Sequence, residues 1–380
     1  MNQKKVAKAL EDCMECHNCE DYCSIYFYTE ENSVLEKLKV LELLLKNEPL
    51  TQEQINTIFY CTKCEACQEA CPEDLPLMDL FDWGRAQIFS KYGPRNPKQA
   101  RLIQNIIESG NPFNNKESRL KGLSENTLQN KVLKETDEVK TNTLLHLGCM
   151  LGYRLHSMRD DIIEILNLLD VNYTLTPEEQ CCGYFIFNTG DHDSANLTIK
   201  RNISLFEKFD RIICACAGCF IFFKENYPHP EKFVHVIEVI DDKLERMRED
   251  AKLPEINKET VENRISFHDS CHLTRPFGIT EPPRRILKLL GYSLNEFEYS
   301  KKQGLCCGAD GGMRITNPEL AVFLGRERVN DAIKMGSNRL MTLCPFCIFN
   351  FKEASNELQE FAIQSLYSKI RTYLQKHLNM

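Results

Sequence analysis

The chain has 380 residues, 42% of them apolar and 27% charged, with a net charge of −8, enough to bury an ordinary core and to build two or three small domains. Lys and Arg are spread thinly, without the basic runs or aromatic–basic alternation of nucleic-acid binders, so no nucleic-acid partner is expected. No apolar run approaches the roughly 20 residues of a membrane span and MNQKKVAKALEDC lacks the apolar core of a signal peptide, so the expected location is cytoplasmic, with no direct membrane insertion and membrane association only through a partner.

Nineteen cysteines in a chain expected in a reducing compartment point to metal ligands rather than disulfides. Residues 2 to 12 read as a helix leading into Cys13, Cys16, Cys19 and Cys23; a second run, Cys61, Cys64, Cys67 and Cys71, ends in Pro72. The spacing C-x2-C-x2-C-x3-C is that of bacterial ferredoxins, in which three thiolates of one run and the fourth of the other hold each [4Fe–4S] cubane. One cubane is then expected on Cys13, Cys16, Cys19 and Cys71, the other on Cys61, Cys64, Cys67 and Cys23. Ser24 stands where the first run would carry its proline. Paired zinc sites would use separated CxxC pairs, whereas here a third cysteine follows at the same gap in both runs.

Between the runs, Ser33 with Glu36 and Thr51 with Gln54 predict capping boxes, the first opening an apolar helix through Leu45. Residues 77 to 91 read as a helix, followed by a short helix after Pro94 and Pro97. NNKESRLKGLSENTLQNKVLKETDEVKTN is polar and rich in turn formers, which predicts a surface linker over 111 to 142 after a helical ferredoxin-type domain at 1–110.

The remainder is a duplication. Cys149, the doublet Cys181-Cys182-Gly183 and the pair Cys216/Cys219 are answered by Cys271, Cys306-Cys307-Gly308 and Cys344/Cys347; CAGCFIFFKE reads against CPFCIFNFKE. Each quintet is complete, and only Cys214 is left over. The apolar runs TLLHLG, RIIC, RISFH and RLMTL predict strands that stop at these cysteines. Residues 155–169, 194–209, 283–290 and 318–335 predict the covering helices. The expected fold is thus α+β and α/β: the helical domain, then two α/β repeats at 143–260 and 261–380, related by a pseudo-twofold axis, with cysteines at the carboxyl ends of the strands.

The glycines of GADGGM do not keep a GxGxxG order and are read as allowing backbone N–H groups to approach cluster sulfur. With no flavin or nicotinamide fingerprint, no flavin is expected in this chain, and electrons must be exchanged with another protein. His235 in FVHVIEVI is read as buried without a role and His268 as structural. NELQEFAIQSLYSKIRTYLQKHL, with Leu358, Phe361, Ala362, Leu366, Ile370 and Leu374 on one face, is read as a single helix capping its own domain.

Two ferredoxin runs followed by two CCG-type cysteine quintets and HDSCH at 268–272 resemble the fused catalytic iron–sulfur subunit of heterodisulfide reductases. They are also similar to the iron–sulfur subunits of glycolate and D-lactate dehydrogenases and of thiol:fumarate reductase. The resemblance covers nearly the whole chain; it departs at Ser270, where proline is common, and at Asp310, which interrupts a glycine run. It implies a noncubane [4Fe–4S] cluster on each quintet, reduction of a thiol disulfide of the coenzyme M–coenzyme B type between the two, and an electron-donating partner that is a flavoprotein or a membrane cytochrome b. The other reading is an electron-transfer subunit serving a flavin-dependent lactate or glycolate dehydrogenase or a fumarate reductase. His272, next to Cys271, is the candidate catalytic proton donor; a hydrogen bond to cluster sulfur is its alternative role.

Overall fold

In the computed structural model the residues described are 1–133, 142–254, 264–357 and 361–378. The N-terminal region is helical. Asn2 caps the helix Gln3–Glu11, and both expected capping boxes form, Ser33/Glu36 opening Val34–Leu45 and Thr51/Gln54 opening Gln52–Phe59. These boxes satisfy N–H groups that the first helical turn leaves unpaired. The helix Leu77–Tyr92 closes over them, so Leu38, Leu41, Ile58, Phe59, Leu80 and Phe81 share one core with Cys61 and Cys67. The helix Pro97–Ser109 starts on an Asn96 cap with proline in its first turn and stops at Gly110, whose φ of 69° is the left-handed conformation of a helix end.

Two parallel sheets follow. β1 (Thr143–His146), β2 (Arg211–Cys214) and β3 (Phe233–His235) lie in the order β1-β2-β3. β4 (Arg264–Phe267), β5 (Ser293–Asn295), β6 (Arg339–Thr342) and β7 (Ala362–Ser365) lie in the order β5-β4-β6-β7. The strands expected from apolar runs form as β1, β2, β4 and β6. β3 and β5, three residues each, are too short to carry a period, and β7 hides inside a stretch with helical spacing.

That stretch is corrected. Ala362–Ser365 pairs residue by residue with Arg339–Thr342, so the open edge of β6 satisfies this backbone in extended form, and the helix covers only Leu366–Leu378. Leu358 lies outside the described residues. The helix also does more than cap its own repeat. It packs along His156–Leu168 of the first repeat, where Arg371 meets Asp161 at 2.8 Å and Glu164 at 3.6 Å. The first repeat reciprocates: its last helix, Val236–Glu249, packs on Glu281–Leu289 of the second, and Arg285 pairs with Asp241 and Glu245. Leu366, Ile370 and Leu374 are fully buried in one core that runs through both repeats, a contribution of about 5–9 kcal/mol at about 1.5–3 kcal/mol per side chain.

The stretch expected to cross the surface as a linker instead wraps the first repeat over residues 111–133. Asn111, Arg119, Leu120 and Leu123 are buried, Glu125–Lys131 is helical, and Val132 bridges Leu175. Its polar composition conceals this because the anchors are single residues. Residues 134–141 lie outside the described set.

Candidate metal centres

The two N-terminal cysteine runs share one unusual backbone. Glu15 and His17 flank Cys16 at φ of 50° and 64°; Lys63 and Glu65 flank Cys64 at 53° and 67°. Left-handed conformations at four non-glycine residues are strained. Their recurrence at matching positions fits a concavity of backbone N–H groups around anionic sulfur. Cys13, Cys16, Cys19 and Cys71 line one small cavity with Leu35, Leu38 and Pro72. These are the four thiols that the crossing arrangement groups together, and their donor chemistry suits a cubane. Cys16 is exposed and Met14 beside it is 61% exposed, so this cavity faces solvent. Cys61, Cys64 and Cys67 are buried and Cys23 half-buried. Burial pushes the Cys67 thiol up, and the neighbouring sulfurs of Cys61, Cys23, Cys64 and Cys19 push it further.

Each repeat gathers its five cysteines into the same ladder of sulfur contacts. In the first, Cys149 meets Cys181, the doublet members meet each other, Cys182 meets Cys219, and Cys219 meets Cys216. In the second, Cys271 meets Cys306, Cys306 meets Cys307, Cys307 meets Cys347, and Cys347 meets Cys344. Helices begin at or beside the flanking cysteines, Gly148–Tyr153, Ala217–Asn226, Cys271–Phe277 and Pro345–Ala354; Cys216 and Cys271 are both held below the ordinary thiol range, chiefly by hydrogen bonds from Cys219 and Cys306. Gly148, at φ 78°, leaves room that a Cβ would take 3.2 Å from the Cys219 sulfur. Cys182 is lowered to about 6, chiefly by the hydrogen bond from Cys181. Cys214 stays apart in β2; its thiol reaches only the Ile212 carbonyl at 3.9 Å, and burial holds it protonated.

The surroundings of the two ladders differ. Beside the first, the fully buried Arg119–Glu179 ion pair sets its carboxylate to accept from the N–H groups of Leu147 (2.9 Å) and Gly148 (2.8 Å). Beside the second stands Arg275, whose guanidinium donates to the carbonyls of Cys64, Gly304 and Lys302. Here the ladder continues into the ferredoxin region: Cys306 also meets Cys64, and its N–H donates to Ser24 Oγ at 2.6 Å. The serine found in place of proline therefore ties the first run to the second repeat.

His272 lies where three parts of the chain meet. Nε2 is 3.1 Å from the Lys63 carbonyl and 3.5 Å from Tyr184 Oη, Nδ1 is 3.4 Å from Asp310, and the ring is hydrogen-bonded to Cys271. Burial opposes its charge, but the Cys271 thiolate outweighs this and holds the imidazole well above its ordinary value. Tyr184 also lines an open cleft of about 760 Å³ between the ferredoxin region and both repeats, whose walls include Glu65, Glu225, Arg275 and Lys302. Burial pushes Glu65 up to about 7 and Asp310 up to about 6.

Three residues have surroundings that the sequence does not indicate. His268, read as structural, lies with Cys307 and Cys347 so that the candidate ligand atoms of all three fall within 4.8 Å of one another. Gly311 serves a close approach to the ferredoxin region, since a Cβ there would stand 2.3 Å from the Cys61 carbonyl; Gly308 keeps the expected role, its N–H 3.4 Å from the Cys306 sulfur. Arg85 has no role in the sequence reading, although it interrupts the apolar face of its helix. It is fully buried and donates to the carbonyls of Asn188 (3.1 Å), Gly311 (2.7 Å) and Cys61 (2.9 Å). Glu179, Arg119 and Tyr184 carry no sequence signal, because their importance depends on burial.

The chain matches a 4Fe-4S dicluster domain over residues 9–75 and a cysteine-rich CCG domain twice, over 143–224 and 265–352. It is similar to a component of the dihydromethanophenazine:CoB–CoM heterodisulfide reductase of Methanosarcina acetivorans, 26% identical over 92% of this chain and 90% of that one. It is also similar to a component of the fumarate reductase (CoM/CoB) of Methanothermobacter marburgensis, 26% identical over 91% of this chain and 68% of that one. EtfAB:quinone oxidoreductase of Syntrophomonas wolfei is 24% identical over 89% of this chain and 54% of its own length. Among the described residues no helix is long and apolar enough to cross a membrane.

Proposed function

For a chain that belongs to the CCG-domain iron–sulfur proteins related to heterodisulfide reductase, and is therefore an iron–sulfur oxidoreductase component, we propose catalytic reduction of a thiol disulfide. The carrying observation is that both five-cysteine ladders are complete and their repeats clasp each other, next to an open cleft. On this reading the reciprocal helix packing expresses a pseudo-twofold axis. Cys13, Cys16, Cys19 and Cys71 would hold one cubane, Cys61, Cys64, Cys67 and Cys23 the other, and the ladders one noncubane [4Fe–4S] cluster each. When bound, these clusters supply one-electron storage in series.

The chain's own residues fit that task. Exposed Cys16 and Met14 mark the face that receives an electron-donating partner, a flavoprotein or a membrane cytochrome b, while Cys64 touches Cys306 of the second ladder. Reducing a disulfide to two thiols takes two electrons and two protons. His272 holds a proton beside Cys271, Asp310 and the Lys63 carbonyl fix its ring, and Tyr184 stands between it and the cleft. A thiol disulfide of the coenzyme M–coenzyme B type is the proposed substrate class. The second reading, an electron-transfer component without a substrate site, is favoured by the similarity to EtfAB:quinone oxidoreductase.

The test is anaerobic purification, iron analysis and dye-driven disulfide reduction. About sixteen irons per chain are expected for four four-iron clusters, with a signal of the reduced protein that changes when thiol is added. A fully loaded chain without turnover or thiol-dependent signal would leave the relay reading; about eight irons would remove the catalytic claim.

A further inference from the structure

The duplication gives the chain two corresponding openings whose chemistry differs. Pro276 and Ile221 line the cleft beside His272, five residues after the lone cysteine of one repeat and the first CxxC cysteine of the other. Their repeat counterparts, Arg154 and Phe349, line a second pocket of about 270 Å³. Tyr184 faces the cleft and its neighbour Phe185 the pocket. Six carboxylates and three cations line the cleft, where Lys63 pairs with Asp82 and Lys302 with Glu69, so it is acidic in sum. The pocket is the reverse. Its charged residues are Lys98, Arg101, Arg154 and Arg314, and among the described residues no carboxylate lines it.

The rest of the pocket wall is apolar. Phe113, Phe185, Phe346 and Phe349 are all half-buried there, the rings of Phe185 and Phe346 5.5 Å apart, and buried Leu102 and Met150 join them. Arg314 is held by Glu353 and Asn350, and Arg154 lies over the Phe113 ring at 4.3 Å. Among the described residues Lys98, Arg101 and Arg154 form no ion pair. Phenylalanine rings left half-open to water favour an apolar occupant, and unpaired cations around them set its sign. We propose that this pocket binds an organic acid with an apolar body, its chain or ring against the phenylalanines and its anion on Lys98, Arg101 and Arg154. Its volume lies just below the roughly 300–1,000 Å³ of ordinary ligand sites, so one chain or ring enters and a nucleotide does not. Met150 follows Cys149 and Phe346 stands between Cys344 and Cys347, so the occupant adjoins both ladders. The pocket uses no cysteine and no residue of the His272 cleft, and therefore stands independently of disulfide reduction.

The experiment is isothermal titration calorimetry of decanoate into the iron-loaded full chain under anoxia, at concentrations where decanoate is monomeric. Wild type shows one saturable site. Decan-1-ol and the decylammonium ion keep the chain but lose or reverse the charge, and bind at least about tenfold more weakly, the size of a lost charge-assisted contact. R101E and R154E, at exposed positions of the rim, weaken decanoate by a similar factor, whereas R326E, exposed but outside the pocket, retains it. If a variant fails to load, the neutral and cationic probes read the charge requirement on wild type alone. Absence of a saturable site, equal binding of decan-1-ol, undiminished binding in both rim variants, or an equal loss in R326E overturns the proposal. A chain that reduces no disulfide yet binds decanoate in this pattern upholds the pocket and refutes only the catalytic reading.

Discussion

Arg85→Met tests whether the ferredoxin region and the two repeats are one cooperative body. The arginine leaves its helix to reach three backbone carbonyls, one from each part of the chain, and its guanidinium also lies 5.3 Å from the Phe59 ring. Methionine keeps most of the volume and the apolar stem but removes every donor. Hydrogen bonds to a charged group contribute about 1.5–3 kcal/mol each, and the carbonyls left behind are buried. The guanidinium itself bears a desolvation cost, and its Nε has no partner, so the three terms do not add fully; a net loss of about 3–5 kcal/mol is expected. Urea unfolding of the iron-loaded protein under anoxia, followed by both tryptophan fluorescence and visible absorbance, reads this directly. Trp83 lies two residues from Arg85 on the same helix, so fluorescence reports the seam while absorbance reports the cysteine sites. In wild type the two probes should coincide; in the variant the fluorescence transition should move to lower urea and separate. A variant within about 0.5 kcal/mol of wild type, the range of a surface change, with coincident probes would refute the idea that Arg85 joins the three parts.

Cys307→Ser should abolish disulfide reduction and alter the second repeat's signal, and because Cys306 touches Cys64 it should also shift the spectrum of the neighbouring ferredoxin-type cluster. Cys214→Ser, outside both ladders, should retain all iron and most activity; iron loss in this control would show that the cysteines are wrongly divided. Gly190→Ala should destabilise by at least about 2 kcal/mol, the size of a strained-backbone or overpacking change, because φ is 90° and the new Cβ would stand 2.2 Å from the Arg85 carbonyl; an unchanged melting midpoint would count against so close a seam. Burial lowers His235 to about 3 in the folded state, below its unfolded value of about 6.5, so its stabilising contribution is complete above about pH 6.5 and is lost as pH falls from there toward 3, by about 1.4 kcal/mol per unit. His235→Asn, which keeps an acceptor for the Ile237 N–H, should flatten the fall in stability between about pH 7.5 and 5.5, and an identical slope in wild type and variant would contradict this.

Wherever spacing alone fixes geometry, the site was legible in the sequence. Two residues between cysteines bring both sulfurs to one concavity, so the runs and ladders could be read without a fold, as could the strands ending at Cys149, Cys216, Cys271 and Cys344. Long-range pairing was not legible. Ala362–Ser365 is a strand because β6 offers an open edge, which four local residues do not reveal, and Leu366–Leu378 serves the other repeat because its apolar stripe says only that it is buried. Arg119, with a polar stretch on either side, reads as solvated until Glu179, sixty residues later, is placed against it. The closeness of His268 to Cys307 and Cys347 is hidden in the same way, because the three lie on different elements.

The exchange of terminal helices between the repeats also governs the order in which this chain can close. The face of His156–Leu168 stays uncovered until Leu366–Leu378 has been synthesised, with 197 residues lying between the two helices. Contacts so distant in sequence form slowly, and domains generally fold from the N-terminal side as they emerge. The first repeat can therefore assemble its sheet and gather Cys149, Cys181, Cys182, Cys216 and Cys219 while that flank is still open. Docking of the distant helix then covers that flank, which makes closure of the clasp a late step in folding.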